Sequence, residues 1–331
     1  AMQRAQKLFA KRVRDPDDRA ATSARLTSDV AGNGVADADL IIEAIFENLE
    51  AKKALYKEIE KTMKPGAILA TNTSSIKLED LRTDLREPER FIGIHFFNPV
   101  ALMPLVEIVR CDDTAQDALD IGFSFVKGIG KFPLECKSSP GFVVNRILAP
   151  YMSEAMQLVQ EGVGLADIDE AAVAFGMPMG PVELVDSVGL DVVLHVSQVL
   201  GAKMDGPVPE KLTAMVEAGH LGRKSGRGFY EWVDGKPVKP SRSPASVPVD
   251  IEDRLVLAMV NEAVSCLADG VVADSELLDA GVIFGTGFAP FRGGPINYAR
   301  ERGVAQVTSS LETLATAHGE RFAPHSGWSA I

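Results

Sequence analysis

The sequence predicts an α/β domain followed by all-α domains, and three observations carry that prediction. Over the first 138 residues, continuous apolar runs alternate with amphipathic helical stretches, the pattern of a largely parallel sheet covered by helices. From Pro140 onward the period is helical throughout. Two stretches of that second region repeat each other, which implies a helical unit present in two tandem copies.

Each element follows from its residues. ADLIIEAIF reads as a buried strand, and NLEAKKALYKEIEKTM as a helix with Leu49, Leu55, Ile59 and Met63 on its apolar side. The strands AILATNT, FIGIHFF and LVEIVR come next, then the helix TAQDALDIGFSFVKG and the strand KFPLEC. Ahead of them, AMQRAQKLFAKRVRDPDD is basic with a helical period. Transit peptides share that character, but the DPDD cluster and the absence of Met at position 1 favour a helix cut open where the chain begins.

In the helical region, NRILAPYMSEAMQLVQEGV (from Asn145) lies over DRLVLAMVNEAVSCLADGV (from Asp253). Both carry Arg, then Glu-Ala, then Gly-Val, which matches Glu154 with Glu262. DIDEAAVAFGMPMGP over ELLDAGVIFGTGFAP continues the match and sets Phe175-Gly176 against Phe284-Gly285. Between the copies, DGKPVKPSRSPASVP is rich in Pro and Ser and reads as a linker. The expected division is a sheet domain at 1–138, a first helical domain at 139–232, a linker at 233–249 and a second helical domain at 250–331. Two such copies are expected to pack about a pseudo-twofold axis, as an isologous dimer does.

A chain of 331 residues is long enough for two or three domains. At 46% hydrophobic and 24% charged residues it has a globular profile. Its net charge of −12 argues against a general nucleic-acid surface, while leaving room for a local basic pocket for a phosphorylated ligand. Cys111, Cys136 and Cys266 are far apart and form no CxxC, so neither a disulfide framework nor a thiolate metal site is expected, and a reducing compartment fits best. His195, His220, His318 and His325 are too scattered for metal-ligand spacing. No run approaches the roughly 20 apolar residues that span a bilayer.

The chemistry is concentrated in FIGIHFFNPV, where His95 interrupts an apolar strand, and in LVEIV, where Glu107 does the same. A buried imidazole and a buried carboxylate are each costly alone and tolerable as a pair. His95 is either a core histidine satisfied by a backbone carbonyl or a general base whose tautomer a carboxylate fixes. If the strands are neighbours, the second reading gives a His95–Glu107 dyad within about 2.6–3.2 Å that deprotonates a hydroxyl without a metal. TNTSSI, at the end of the strand AILA, sits where ligands bind in open α/β sheets. It equally reads as an N-cap cluster, with Ser74 or Ser75 capping KLEDL. Asn98 and Asn145 are hydrogen-bonding candidates that also suit turns and caps.

HFFNPVALMPLVEIV, with TNTSSI before it and PGFVVNR after it, resembles the L-3-hydroxyacyl-CoA dehydrogenase family. PMGPVELVDSVGLD and GRKSGRGFY carry the resemblance further, and the intervals between Ser74, His95, Glu107 and Asn145 match the family's. The resemblance covers nearly the whole chain. The doubled helical unit makes it most similar to the dehydrogenase half of the multifunctional fatty-acid β-oxidation alpha chains.

That resemblance implies a Rossmann-like NAD-binding domain and oxidation of L-3-hydroxyacyl-CoA to 3-ketoacyl-CoA. It implies that His95 is the base, that Glu107 orients it, and that Ser74 and Asn145 hold the substrate oxygen. Asn98 would lie near the nicotinamide and the thioester. Ser74, Glu47, Lys52 and Lys224 would contact NAD, and Tyr298 the substrate. A thiolase beta subunit and an enoyl-CoA hydratase domain are the implied partners in a parent protein. Location would be cytoplasmic in a bacterium, or mitochondrial or peroxisomal in a eukaryote. The sequence departs from the family in one respect. No G-x-G-x-x-G follows a strand and opens a helix, which leads to the expectation of a fragment without the adenosine half of the NAD site. Two rivals stand beside this reading: a short-chain 3-hydroxybutyryl-CoA dehydrogenase, which usually carries one helical copy, and a non-catalytic crystallin-like relative.

Overall fold

The computed structural model describes residues 1–194, 197, 210–241 and 247–331. Two helices come first, α1 (Met2–Arg12) and α2 (Pro16–Ala24), and neither buries a residue. Asp15 caps α2 by accepting from the amides of Asp17 and Asp18. Then β1 (Leu40–Glu43), α3 (Leu49–Thr62), β2 (Ile68–Thr71), α4 (Leu78–Leu81), β3 (Phe91–Phe96), β4 (Leu105–Arg110), α5 (Gln116–Gly128) and β5 (Phe132–Lys137) complete a five-stranded sheet in the order β1-β2-β3-β4-β5.

The strands run parallel except between β3 and β4. The short NPVALMP connection explains the exception. A parallel neighbour needs a crossover of about a dozen residues, whereas an antiparallel return needs only a turn. Alternation then sorts the side chains. Ile92, Ile94, Val106 and Ile108 pack on Ala118, Leu119 and Val126 of α5. Phe91, Leu105 and Val109 face the other way, into a core shared with Tyr56 and Ile59 of α3 and with the helices that follow the sheet. With a period of two, His95 and Glu107 belong to this second face.

The second part contains α6 (Val144–Gln160), α7 (Leu165–Phe175), α8 (Pro181–Val188) and α9 (Glu210–Glu217). It also contains a hairpin of β6 (Glu231–Val233) and β7 (Lys236–Val238), which the helical period did not predict. Asp234 and Gly235 both have positive φ, 51° and 75°, the two-residue turn that the Asp-Gly pair specifies. The stretch expected as a linker from residue 233 therefore begins inside an ordered ribbon. Lys239, just beyond, pairs with Asp169 and Glu183. Residues 242–246 of that stretch lie outside the described residues, as does His195.

The last part contains α10 (Ile251–Ala268), α11 (Ser275–Thr286), α12 (Pro295–Arg302) and α13 (Val304–His318). Helices α6 and α10 exchange arginines. Arg146 on α6 reaches Glu262 and Asp269 at 2.6 and 2.7 Å. Arg254 on α10 reaches Glu154 and Glu161 at 2.6 and 2.7 Å. Helix α11 lies against the sheet. Gly281 allows the approach, since a Cβ there would fall 2.5 Å from the Leu134 side chain. Phe284 packs on Phe132 with ring centroids 5.3 Å apart. Among the described residues, no helix is long and apolar enough to cross a membrane.

Candidate functional site

The β3–β4 register sets His95 directly opposite Glu107. The His95 Nδ1 to Glu107 Oε2 distance is 2.7 Å, and both side chains are buried. With the carboxylate accepting, Nδ1 carries the proton and Nε2 keeps a lone pair. Phe97 and Phe142 flank the imidazole, with ring centroids 4.6 and 5.6 Å away. The other carboxylate oxygen, Oε1, accepts from the amides of Val143 and Val144 at 3.1 and 2.9 Å. Val144 is the first residue of α6. Glu107 thus joins the histidine to a helix N-terminus, where an anion is favoured by orphan amides and by the helix dipole. Sequence reasoning missed this contact because Glu107 and α6 are separated by a helix and a strand. The signal available was Pro140-Gly141, which takes the chain sharply into α6 with Gly141 at φ 75°.

A second cluster sits at the C-terminal ends of β1 and β2. One oxygen of Glu47 accepts from the Thr73 hydroxyl, from the Ser74 and Ser75 amides at 2.9 and 3.1 Å, and from the Ser75 hydroxyl at 3.1 Å. Burial opposes its charge, but the Thr73 and Ser74 bonds and the Lys52 ammonium outweigh it and hold the carboxyl below its ordinary value. The TNTSSI loop is therefore tied to Glu47. It does not cap the helix that follows, where Lys77 occupies the N-cap of α4 and makes no side-chain cap bond. Asn72 accepts from the Phe96 amide at 2.8 Å and ties the loop to the end of β3. Asn145, in the first turn of α6, donates to the Ser74 carbonyl at 3.5 Å.

Lys52 is fully buried. It pairs with Glu47 at 3.3 Å and, more closely, with Glu43 at 2.7 Å. The apolar residues Leu49, Leu55, Ile59 and Met63 pack in or against the core, as the helical period predicts, and the buried face of α3 also takes in Lys52 and Tyr56. Glu43 is the reason: it closes β1 and draws both polar side chains inward.

The structure thus brings His95, Glu107, Ser74, Asn145, Glu47 and Lys52 into one connected region. Three expected residues stand apart in their contacts. Asn98 is exposed in the loop after β3. Lys224 forms an ion pair with Asp191. Tyr298 is buried on α12 with its ring against Phe175 and its hydroxyl accepting from Arg302 at 3.0 Å. Burial pushes the thiols of Cys111 and Cys266 up to about 12 and that of Cys136 well above its ordinary value, so none is a thiolate nucleophile near neutrality. No three His, Cys, Asp or Glu side chains among the described residues are arranged to hold a metal.

A mostly parallel sheet with polar groups at its strand ends, joined to a carboxylate-bound histidine, can bind a ligand and take a proton from it. Comparison with known proteins narrows this. Residues 1–139 match the 3-hydroxyacyl-CoA dehydrogenase NAD binding domain and residues 141–232 the C-terminal domain of the same family. The fatty acid oxidation complex subunit alpha of Shewanella loihica is 36% identical over 98% of the chain. The chain spans 48% of that relative's length. Among solved structures, 3-hydroxybutyryl-CoA dehydrogenase from Escherichia coli superposes with TM-score 0.84 at 27% identity, covering 99% of this chain and 89% of that one. FadB2 of M. tuberculosis is 36% identical with TM-score 0.66, covering 70% of this chain and 83% of that one. The chain belongs to the 3-hydroxyacyl-CoA dehydrogenase family of NAD-dependent oxidoreductases.

Proposed function

We propose that this chain carries the dehydrogenase chemistry of fatty-acid β-oxidation, the NAD-dependent oxidation of L-3-hydroxyacyl-CoA to 3-ketoacyl-CoA. The observation that carries the proposal is the 2.7 Å His95–Glu107 pair beside the Ser74–Asn145 contact. NAD, when bound, supplies the hydride acceptor. His95 Nε2 takes the proton of the 3-hydroxyl. Glu107 holds Nδ1–H and stabilises the imidazolium that forms. Ser74 and Asn145 hold the substrate oxygen. The nicotinamide side fits the residues present: Glu47 remains 20% exposed at the strand ends while it orders the Thr73–Ser75 loop. Glu47, Lys52, Ser74 and Asn98 would serve that side. Lys224 and Tyr298 are assigned on family resemblance alone, to cofactor and substrate respectively.

The test uses the 331-residue chain and the same chain preceded by a strand–Gly-rich turn–helix unit. NADH formation is followed with L-3-hydroxyacyl-CoA. His95→Gln should lower kcat by about 10²–10⁴-fold with little change in KM for the acyl-CoA, because the base acts in the transition state. Absence of NADH formation in both forms rejects the dehydrogenase reading. An unimpaired His95→Gln variant removes His95 from it.

The organisation proposed is a Rossmann-like domain over 1–138, helical units over 139–232 and 250–331, and a connection over 233–249. Support for a tandem repeat comes from chemistry as well as helix order. Arg146, Glu154 and Glu161 are the counterparts of Arg254, Glu262 and Asp269, and each arginine binds the other unit's acids. Asp169 accepts from the Val182 amide opening α8, and Asp279 from the Ile296 amide opening α12. The register of the second stretch needs adjustment. Gly176 ends α7, and its positional counterpart is Gly287, which ends α11. Gly285 lies within α11, where a Cβ would fall 2.5 Å from Val144.

A short-chain 3-hydroxybutyryl-CoA substrate is the second reading, favoured by the near-complete superposition on the Escherichia coli enzyme. Comparing kcat/KM for butyryl and longer 3-hydroxyacyl-CoA substrates separates the two. Relatives named fatty acid oxidation complex subunit alpha support a thiolase beta subunit and an enoyl-CoA hydratase domain as partners and a bacterial cytoplasmic location.

A further inference from the structure

Three ionisable groups stand in a row at the end of β1: Glu43 and Lys52, both buried, and Glu47, which is 20% exposed. Lys52 is 1% exposed, yet its ammonium is not centred between its partners. It lies 2.7 Å from Glu43 and 3.3 Å from Glu47. Glu43 is itself fixed by four donors. Oε1 takes Lys52 and the Ile45 amide at 2.6 Å, and Oε2 takes the hydroxyls of Tyr56 and Thr71 at 2.7 and 2.8 Å. Glu47 spends one oxygen on the Thr73–Ser75 loop and leaves the other to Lys52. Inside a low-dielectric region, an ammonium with one carboxylate partner removed would close on the remaining one. That motion would draw Glu47 off the loop.

We propose that Glu43 is a positioning residue for the nicotinamide side of the site: by holding Lys52, it keeps Glu47 on the Thr73–Ser75 loop. The charge pattern is part of the device. Two acids and one base leave the row with a single negative charge next to a loop whose Ser74 and Ser75 amides donate to Glu47. Neutralising Glu43 leaves a simple Lys52–Glu47 ion pair, and removing Lys52 as well restores the single negative charge and frees Glu47 for the loop. The proposal rests on the NAD reading only for its consequence in turnover. The ordering of the loop is measurable without any ligand.

The experiment measures amide hydrogen exchange in the full 331-residue chain. In Glu43→Gln, the Ser74 and Ser75 amides should exchange about tenfold faster or more. The Val143 and Val144 amides, which bind Glu107, should be unchanged. In Glu43→Gln with Lys52→Met, protection at Ser74 and Ser75 should return. Unchanged exchange in the single variant, equal acceleration at Val143 and Val144, or no recovery in the double variant would each overturn the proposal. Steady-state kinetics in the N-terminally extended form add the second readout. Glu43→Gln should raise KM for NAD about tenfold and leave kcat within about twofold. Glu47→Gln serves as the reference. If it leaves KM for NAD unchanged, the cofactor does not meet this end of the sheet, and the NAD reading fails while the exchange result stands.

Discussion

Glu107 does two jobs with two oxygens, and this sets what its replacement should do. Glu107→Gln keeps the size and one acceptor oxygen but loses the charge. In the proposed mechanism the imidazolium then lacks its counter-ion, and the α6 amides lose a charge-assisted acceptor. Turnover should fall about 10²-fold or more with KM for the acyl-CoA little altered, which steady-state kinetics would show. Stability should drop by about 1.5–3 kcal/mol, measured by urea denaturation. A variant that lost stability but kept full turnover would reduce Glu107 to a helix cap. The dyad was legible in the sequence, because two ionisable residues inside apolar strands invite a pairing. The α6 amides were not, because backbone donors leave no residue signature. Glu43 was invisible for a related reason: an acid at the end of a strand looks like any solvated terminus until its buried partners are known.

Among elements, Asp279, whose carboxylate accepts from the amides that open α12, carries a pH dependence. Burial pushes the Asp279 carboxyl up to about 6, against the opposing pull of the Ile296 and Asn297 amides. A raised carboxyl means that the folded state binds a proton more tightly than the unfolded chain. Its contribution is fully present below the ordinary aspartate value of 3.8 and is lost as pH rises through about 6. The fall should reach about 3 kcal/mol at most, and Asp279→Asn should remove it from a plot of unfolding free energy against pH. An unaltered slope in the variant would show that another group titrates. Most elements could be read from apolar period alone. The antiparallel β4 and the β6–β7 hairpin could not, since both depend on turns. For the hairpin the signal was present in Asp234-Gly235, hidden within a stretch whose composition suggested a linker. The apolar side of α3 followed its period, but the burial of Lys52 and Tyr56 beside it was not legible, because those two side chains follow the Glu43 carboxylate.

At the scale of the whole molecule, the arginine exchange between α6 and α10 joins the two helical units, and its two halves are unequal. Arg254 is 1% exposed, while Arg146 is 13% exposed and one of its acids, Asp269, is largely open to solvent. Removing Arg254 strands Glu154 inside the protein with Arg321 as its remaining cation. Arg254→Met should therefore cost about 3–5 kcal/mol, and Arg146→Met clearly less, in matched denaturation curves. Equal losses would mean that burial does not govern this interface. The proposed repeat rests on a shared register in the sequence. The reciprocal pairing needed the fold, because each partner lies about a hundred residues away, beyond any local pattern.

The seat of Glu107 also means that the proposed base is assembled only when two parts of the chain meet. The histidine and the carboxylate come from the sheet, but the donors that steady the carboxylate come from the first turn of α6. Competence and docking are then a single event. A sheet domain cut free before α6 would hold its histidine and glutamate without their anchor. A domain exchanged between relatives would need to bring little more than the Gly141–Asn145 turn to rebuild the base.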